Sequence, residues 1–318
     1  MNNKSNKSLV SIIIATYNRS DIIERTIASA LNQTYSNIEV IVVDDGSTDN
    51  TRSILENNDS INYIYQDNQE RGAARNTGIK SAGGDYIVIM DSDDLLANTM
   101  IEKCITPFLE KNNHYNKPIG VVYGQTHYID TNDNPLGICY NRPPPEGDVL
   151  LDIAEKPCLP VTALVKKDCF DSCGLFKEDR ALSGSEDYEL WFRISKIYSF
   201  KYVDTPVLYY RIHTEQTACD PAKNYKNMML AHDFIYSDGP VIDKIIHLKQ
   251  KNLSWLYFFT ANNYYEVNNR KCFLFFLMKA LIAYPPILFQ GKPWKVFLKI
   301  FMSKKTLIFI RRFLNGGG

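Results

Sequence analysis

The first part of the chain alternates between short apolar runs and polar segments. Four apolar runs have the length and the β-branched content of buried strands, and they cover residues 9–15, 38–43, 61–65 and 85–90. Helical patterns occupy the segments between them: Ile23, Ile27, Ala30 and Leu31 recur on one helical face, and helices are predicted at residues 51–56 and 71–81. Ser20 and Asp21 are expected to begin the first of these helices. Strands and helices that alternate in this order form a parallel sheet covered by helices on both faces.

The alternation becomes less regular after residue 95. Further strands are predicted at residues 120–123, 158–165 and 207–212, helices at 98–109 and 184–194, and a loop at 128–148. From residue 220 onwards the pattern is helical and rich in aromatic residues. The sequence therefore predicts an α/β fold with a mostly parallel, Rossmann-like central sheet, flanking helices and a C-terminal helical extension.

Polar side chains follow three of the predicted strands at the point where each strand ends. They are Tyr17, the pair Asp44-Asp45, and the block 91–94, which contains three aspartates. Parallel strands present their carboxyl ends along one edge of a sheet, where open α/β sheets bind ligands. Three carboxylates this close resist ionisation unless a cation lies among them, and such oxygen ligands suit Mg²⁺ or Mn²⁺ carrying a diphosphate. Taken alone, the block also fits a polar turn after a strand.

Composition narrows the choice of partners. The 318 residues contain 36 Lys and Arg and 36 Asp and Glu, so no overall positive field points to nucleic acid. The seven cysteines are odd in number and scattered, which favours a reducing, cytoplasmic compartment over a disulfide framework. Residues 1–8 lack the apolar core of a signal peptide, and no run reaches the roughly 18 apolar residues of a membrane span.

Six segments together resemble the family 2 glycosyltransferases of the GT-A fold. The matching segments, in family order and spacing, are residues 10–19, 38–51, 72–79, 85–94, 184–194 and 209–217. The resemblance implies a nucleotide-sugar-binding half at residues 1–95 and a half at 96–217 that binds the acceptor and carries the catalytic base. The extension at 218–318 lies outside the resemblance.

The resemblance implies how a UDP-sugar is held. Tyr17 would lie against the uracil, Ala15 would contact the base through its backbone, and Asp45 would accept a hydrogen bond from the uracil N3–H. Arg75 resembles the family arginine that reaches into the donor site, and Arg71 is the second choice. A loop aromatic and a solvated helix arginine are the plainer interpretations of Tyr17 and Arg75.

The family's D-x-D motif corresponds to Asp91, Ser92 and Asp93, with Asp94 following. The family uses this motif to hold Mn²⁺ or Mg²⁺ against the diphosphate. We assign Asp93 to the metal, Asp91 to the ribose or the metal shell, and Ser92 to the nucleotide-sugar site. His213 occupies the place of a further metal or phosphate contact, with a structural role as the equal alternative.

Asp187 corresponds to the family's catalytic base, and Glu186 beside it is the second choice. An inverting transfer needs one carboxylate to take the proton of the acceptor hydroxyl, which aids the reaction by roughly 10²–10⁴-fold. Alternatively, both acids merely favour the N-terminus of a helix. Trp191 is interpreted either as part of an acceptor-binding floor or as a core residue.

The C-terminal extension leaves two interpretations open. Residues 271–284 are apolar nearly all round, and residues 294–314 alternate apolar with basic residues. Residues 271–314 either lie on a membrane surface, where anionic headgroups attract the lysines, or pack on the domain or in a homodimer contact.

The sequence thus predicts an inverting, metal-dependent glycosyltransferase. It would move a hexose or N-acetylhexosamine from a UDP-sugar to a hydroxyl of a glycan or lipid-linked acceptor, in surface polysaccharide synthesis. A catalytically silent GT-A scaffold or glycan-binding module is one alternative. A nucleotidyltransferase is another, although it would carry a phosphate loop rich in glycine and lysine near the first strand, which residues 15–18 are not.

Overall fold

A computed structural model of the chain describes residues 7–110, 114–138, 144–157, 162–213, 220–237 and 239–289. The described residues fall into two compact units. One lies within Met1–Ile153 and Pro157–Gln216, and the other within Ala154–Lys156 and Thr217–Gly318. Among the helices of the described ranges, none combines the length and the apolarity that crossing a bilayer requires.

A mixed sheet forms the centre of the first unit. Its strands are β1 (Val10–Thr16), β2 (Ile38–Asp44), β3 (Asn62–Tyr65), β4 (Tyr86–Asp91), β5 (Leu95–Leu96), β6 (Ile119–Ile129), β7 (Pro135–Ile138), β8 (Leu164–Lys166) and β9 (Ser199–Arg211). The helices are α1 (Ile23–Leu31), α2 (Thr51–Leu55), α3 (Glu70–Ser81), α4 (Met100–Leu109), α5 (Leu150–Glu155), α6 (Asp168–Cys173) and α7 (Glu186–Ser195).

The order of the strands is β3-β2-β1-β4-β8-β6-β9-β5, and β7 pairs with β6. Strands β1 to β4 are parallel to one another, as the alternation of strands and helices predicts. Strand β8 runs antiparallel to both β4 and β6, whereas β6 and β9 are again parallel. The predicted α/β architecture with flanking helices is therefore confirmed.

The apolar runs become strands that are buried on both faces. Val10 and the three isoleucines of β1 are fully buried, which explains why this run is continuously apolar rather than alternating. Helix α3 packs directly on this strand through small residues. A Cβ atom on Gly78 would overlap the side chain of Ile13, so glycine permits this close approach of helix and strand.

Two local predictions are wrong. Helix α1 begins at Ile23 rather than at Ser20 or Asp21, and residues 20–22 form a turn. The backbone N–H of Ser20 donates to Asp49 Oδ2 at 3.1 Å. The predicted loop at 128–148 contains the end of β6 and the whole of β7.

Strands β6 and β9 also extend well beyond the predicted segments 120–123 and 207–212. They pair with each other along most of their length, across several register shifts. Polar residues such as Gln125 and His127 interrupt the apolar pattern, so this pairing leaves little trace in local sequence.

The second unit is helical, as predicted for the C-terminal extension. Its helices are α8 (Pro221–Ile235), α9 (Ile242–Ile245), α10 (Lys249–Glu266) and α11 (Arg270–Ala283). Asp220 caps α8, since its Oδ1 accepts from the N–H groups of Ala222 and Lys223 at 3.0 and 3.1 Å. A small core that includes Phe258, Phe273 and Ile287 joins the longer helices. The predicted basic segment 294–314 lies outside the described residues.

Candidate active site

The loop after β1 presents Tyr17, whose side chain is 45% exposed. The next residue, Asn18, has a left-handed backbone conformation with φ of 51°, which asparagine tolerates better than most residues. Its N–H donates to Ser47 Oγ at 2.9 Å, and its Oδ1 accepts from the Thr48 N–H at 2.8 Å. These bonds tie the loops after β1 and β2 together next to Tyr17 in the sequence. Sequence analysis did not single out Asn18.

Asp44 and Asp45 at the end of β2 are both buried, but they have different partners. Asp44 Oδ1 accepts from the Ser47 N–H at 2.9 Å, which supports the turn of the loop. Asp45 Oδ1 accepts from Gln66 Nε2 at 2.7 Å and from the Gln69 N–H at 2.9 Å. Asp45 is therefore held in place by the segment that leads from β3 into α3.

The register of the sheet brings the strand ends together. Ala15 pairs with Val43 on one side and with Asp91 on the other. The N–H of Asp45 donates to the Thr16 carbonyl at 2.9 Å, which places the loops after β1 and β2 side by side. Ser92 is buried, and its carbonyl accepts from Thr26 Oγ1 at 2.9 Å, which anchors the segment after β4 to helix α1.

The aspartates that follow β4 form a cluster. One carboxylate oxygen from each of Asp91, Asp93 and Asp94 lies within 4.8 Å of the others. Asp94 is buried and its Oδ1 accepts from the Arg211 N–H at 2.9 Å, whereas its Oδ2 has no hydrogen-bond partner among the described residues. Burial, together with the charges of Asp93 and Asp91, raises the pKa of Asp94 well above its usual value.

Such a cluster fits a divalent cation. Carboxylate oxygens of three aspartates converge, and such oxygens are the ligands that divalent cations of this kind prefer. Asp94 Oδ2 is buried without a hydrogen-bond partner among the described residues, and burying a charged oxygen in this way is unfavourable unless a cation compensates it. A cation at this point would offset the repulsion among the three carboxylates.

Three further side chains contact this cluster: Arg211 at the end of β9, His213 two residues after it, and Arg19 in the loop after β1. His213 Nε2 lies 2.9 Å from Asp93 Oδ2, and Arg19 Nη2 lies 3.6 Å from the same oxygen. Arg211 is buried, and its Nε donates to the Asp93 carbonyl at 2.8 Å. Sequence analysis named His213 but missed Arg211. The signal was an arginine within the otherwise apolar and aromatic end of a strand.

Arg75 on α3 is buried and lies between two carboxylates from distant parts of the chain. Its Nη2 lies 2.5 Å from Asp91 Oδ1, and its Nη1 lies 2.7 Å from Glu186 Oε1. Arg71 Nε is 3.8 Å from the same oxygen of Glu186. Although burial opposes ionisation, the charges of Arg75 and Arg71 hold the pKa of Asp91 below its usual value. Arg75 thus links the aspartate cluster to the start of α7.

The first two residues of α7 have different surroundings. Glu186 is buried, bound to Arg75, and also accepts from the Gly184 N–H. Asp187 is half-buried, and its Oδ1 accepts from the Tyr188 N–H at 2.7 Å. Burial and the charge of Glu186 raise the pKa of Asp187 to about 6, against the opposing effect of Arg75. Asp187 can thus take up a proton closer to neutral pH than an ordinary aspartate does.

Trp191 lies on the same helix but faces the core. It is buried and packs edge-on against Phe200, with ring centroids 6.0 Å apart. This contact matches the core interpretation of Trp191 rather than an acceptor-binding floor.

Fold and site together define a glycosyltransferase of the GT-A fold, and comparisons with known proteins agree. The sequence profile described as Glycosyl transferase family 2 matches residues 11–174, and the chain belongs to this family. An uncharacterized glycosyltransferase of Rickettsia prowazekii is 37% identical over 215 residues, which cover 66% of this chain and 65% of that protein. The chain therefore spans slightly less than two thirds of the length of that relative.

A second relative is named for a specific activity. The Escherichia coli UDP-Glc:alpha-D-GlcNAc-diphosphoundecaprenol beta-1,3-glucosyltransferase WfaP is 33% identical over 238 residues, covering 73% of this chain and 87% of that protein. Among solved structures, S. aureus TarS 1-349 in complex with UDP-GlcNAc has a TM-score of 0.60 at 21% identity, over 88% of this chain and 82% of that chain. The Pyrobaculum calidifontis mannosyltransferase PcManGT with GDP-Man and Mn²⁺ has a TM-score of 0.57 at 19% identity, over 94% and 89% of the two chains. The two structures establish the fold.

Proposed function

We propose that the chain is an inverting, metal-dependent transferase that uses a UDP-sugar, with a hexose or N-acetylhexosamine as the transferred group. The acceptor is a hydroxyl of a glycan or lipid-linked saccharide in surface polysaccharide synthesis. Support comes from WfaP, whose name gives UDP-Glc as donor and a diphosphoundecaprenol-linked sugar as acceptor, and from TarS, which was solved with UDP-GlcNAc. The free thiols of Cys104, Cys169, Cys173 and Cys272 support a cytoplasmic location.

The observation that carries this proposal is the chain of ion pairs Asp91–Arg75–Glu186. It fixes the aspartate cluster of residues 91–94 beside the start of α7, which bears Asp187. A group that binds a diphosphate and a group that accepts a proton are thereby held in one site, within the first unit. In this reading residues 1–95 bind the donor, residues 96–217 bind the acceptor, and residues 218–318 extend the enzyme.

Donor binding is divided among the strand ends. The exposed ring of Tyr17 stacks on the uracil, and Ala15 contacts the base through its backbone. Asp45 accepts from the uracil N3–H, held in position by Gln66 and Gln69. Asp91 and Ser92 lie on the nucleotide-sugar side of the site. Arg75 acts by positioning Asp91, because its guanidinium already binds two protein carboxylates.

Asp93, Asp91 and His213 would hold Mn²⁺ or Mg²⁺, and Asp94, whose Oδ2 has no hydrogen-bond partner among the described residues, belongs to the same cluster. The bound ion would neutralise the charge that develops on the departing UDP. Asp187 takes the proton from the acceptor hydroxyl while the oxygen of that hydroxyl forms a bond to the anomeric carbon. The bond from that carbon to the UDP oxygen breaks at the same time, and attack from the opposite face inverts the configuration.

The first test measures thermal stability with UDP, with and without Mn²⁺ or Mg²⁺. UDP with the ion is expected to raise Tm by several degrees, since a ligand at about 100 times its Kd stabilises by about 2.7 kcal/mol. UDP alone should have little effect, because the carboxylates repel an uncompensated diphosphate. Asp93→Asn should lose the shift, whereas Asp59→Asn, on an exposed turn, should keep it. If UDP raises Tm equally with and without the ion, the proposed role of the aspartate cluster in binding a metal with UDP is wrong.

A second test concerns the pH dependence of turnover. A general base works only when ionised, so activity should fall as the pH drops through about 6, the pKa of Asp187. The negative charge of Glu186 helps to keep that pKa high. Glu186→Gln should therefore move the acid limb of the kcat/KM profile to lower pH, and Glu24→Gln, exposed on α1, should not. If the acid limb does not move, the group that accepts the proton is not influenced by the charge of Glu186, which contradicts the assignment of Asp187 as the base.

A further inference from the structure

Helix α11 (Arg270–Ala283) is apolar on both its sides. One side packs into the core of the second unit and carries Phe273, Phe276, Leu277 and Ala280. The opposite side also carries large apolar residues, which are Leu274, Phe275, Met278 and Ile282, exposed by 38, 56, 56 and 77%. A helix that is apolar all round is normally covered all round, by protein or by lipid.

The exposed residues form one continuous surface. Positions 274, 278 and 282 are four apart and therefore line one helix face, and Phe275 lies beside them. Phe289, just beyond the helix, is 89% exposed. Single exposed apolar residues are normal on a protein surface, whereas a contiguous apolar patch marks an interaction site. We call residues 274, 275, 278 and 282 the α11 outer face.

The stretch of sequence that contains and follows the α11 outer face is cationic. Ten lysines and arginines and no aspartate or glutamate follow Glu266 in the sequence. Within the described residues, Lys271 is exposed at the first turn of α11. Lys279 Nζ lies 4.9 Å from the centre of the Phe275 ring, so its aliphatic stem borders the apolar surface. The patch is thus an apolar surface with a cationic margin.

We propose that the α11 outer face docks on the surface of a bilayer that contains anionic phospholipid. Its apolar side chains would enter the acyl boundary while the neighbouring cations meet lipid headgroups. The positive charges argue against covering this face with a second copy of the chain or with residues 290–314. One alternative is that two copies of this chain pair through the face, and another is that residues 290–314 fold over it. Either arrangement would bring cations together, and residues 267–318 contain no carboxylate side chain to offset them. Anionic lipid supplies the missing charge.

This inference goes beyond the proposed function. The α11 outer face belongs to the second unit, and none of its residues contributes to the candidate active site. Membrane docking can therefore fail while the transfer chemistry stands, and the reverse also holds. If both are correct, the enzyme works at the surface where a lipid-linked acceptor resides.

The test is co-sedimentation of the full chain with vesicles of phosphatidylcholine, either alone or mixed with phosphatidylglycerol. The wild type is expected to bind the mixed vesicles and to bind neutral vesicles at least about tenfold more weakly. Phe275→Glu combined with Ile282→Glu should weaken binding to mixed vesicles at least about tenfold, because apolar burial is lost and like charge is added. The control combines Leu109→Glu with Leu136→Glu, which are equally exposed apolar positions in the first unit.

The control is expected to bind within about twofold of the wild type. Hydrolysis of UDP-sugar in vesicle-free buffer should be the same for all three proteins, which shows that the variants are folded. The proposal is overturned if the Phe275→Glu, Ile282→Glu variant binds mixed vesicles as well as the wild type does. It is also overturned if the wild type binds neither kind of vesicle, or binds both kinds equally well. If the wild type is a dimer and the Phe275→Glu, Ile282→Glu variant is a monomer, the face is covered by a second copy of the chain rather than by lipid. Faster hydrogen exchange in α11 after removal of residues 290–318, without vesicles, assigns it to that segment instead.

Discussion

Replacing Asp187 with asparagine is expected to leave UDP affinity unchanged and to slow sugar transfer about 10²–10⁴-fold. The amide keeps the shape of the side chain, and its oxygen can still accept from the Tyr188 N–H. It cannot take up the proton of an attacking hydroxyl, however. UDP release during turnover measures the rate, and the metal-dependent change in Tm measures UDP binding.

The control for this experiment is Asp168→Asn, which changes an exposed carboxylate at the start of α6. It should transfer sugar at the wild-type rate. Normal transfer by Asp187→Asn would place the base elsewhere, and Glu186 is then the next residue to test. Loss of UDP binding together with transfer would instead give Asp187 a structural role.

Replacing Arg75 with methionine is expected to lower the free energy of unfolding by about 3–5 kcal/mol, the usual cost of breaking a buried ion pair. Methionine fills much of the same volume but leaves the buried Glu186 without its closest guanidinium group and Asp91 without its closest cation. Urea denaturation followed by circular dichroism measures the loss.

Arg52→Met provides the matched comparison. Arg52 lies 3.4 Å from Glu56 on an exposed helix surface, where such pairs are worth about 0–1 kcal/mol. Combining Arg75→Met with Glu186→Gln should recover part of the lost stability, because the unpaired buried charge is then removed. A loss below about 1 kcal/mol for Arg75→Met would mean that water replaces the guanidinium with little penalty.

Local sequence was sufficient to predict much of the parallel part of the sheet. The strands β1, β2 and β4 are continuous apolar runs because they are buried on both faces, and such runs are visible without knowledge of their neighbours. The aspartate block follows β4 directly, so the position of the strand also fixes the position of the carboxylates.

The contacts that join distant segments were not predictable in this way. Arg75 and Glu186 are 111 residues apart, and neither position differs in sequence from a solvated helix residue. The long pairing of β6 with β9 depends on tertiary contact, since residues such as Gln125 break the local apolar period. The ring of Tyr17 was identified through family resemblance, but the role of Asn18 next to it in the sequence became visible only in three dimensions.

The hydrogen bonds of Asn18 to Ser47 and Thr48 mean that the loops after β1 and β2 lose conformational freedom when the protein folds, before any ligand binds. The loops after β1 and β2 are therefore already fixed relative to each other once the protein has folded. Their ordering entropy is lost at that stage and does not subtract from the free energy of binding. A nucleotide would therefore encounter a preorganised surface, and its affinity would report mainly the contacts it makes.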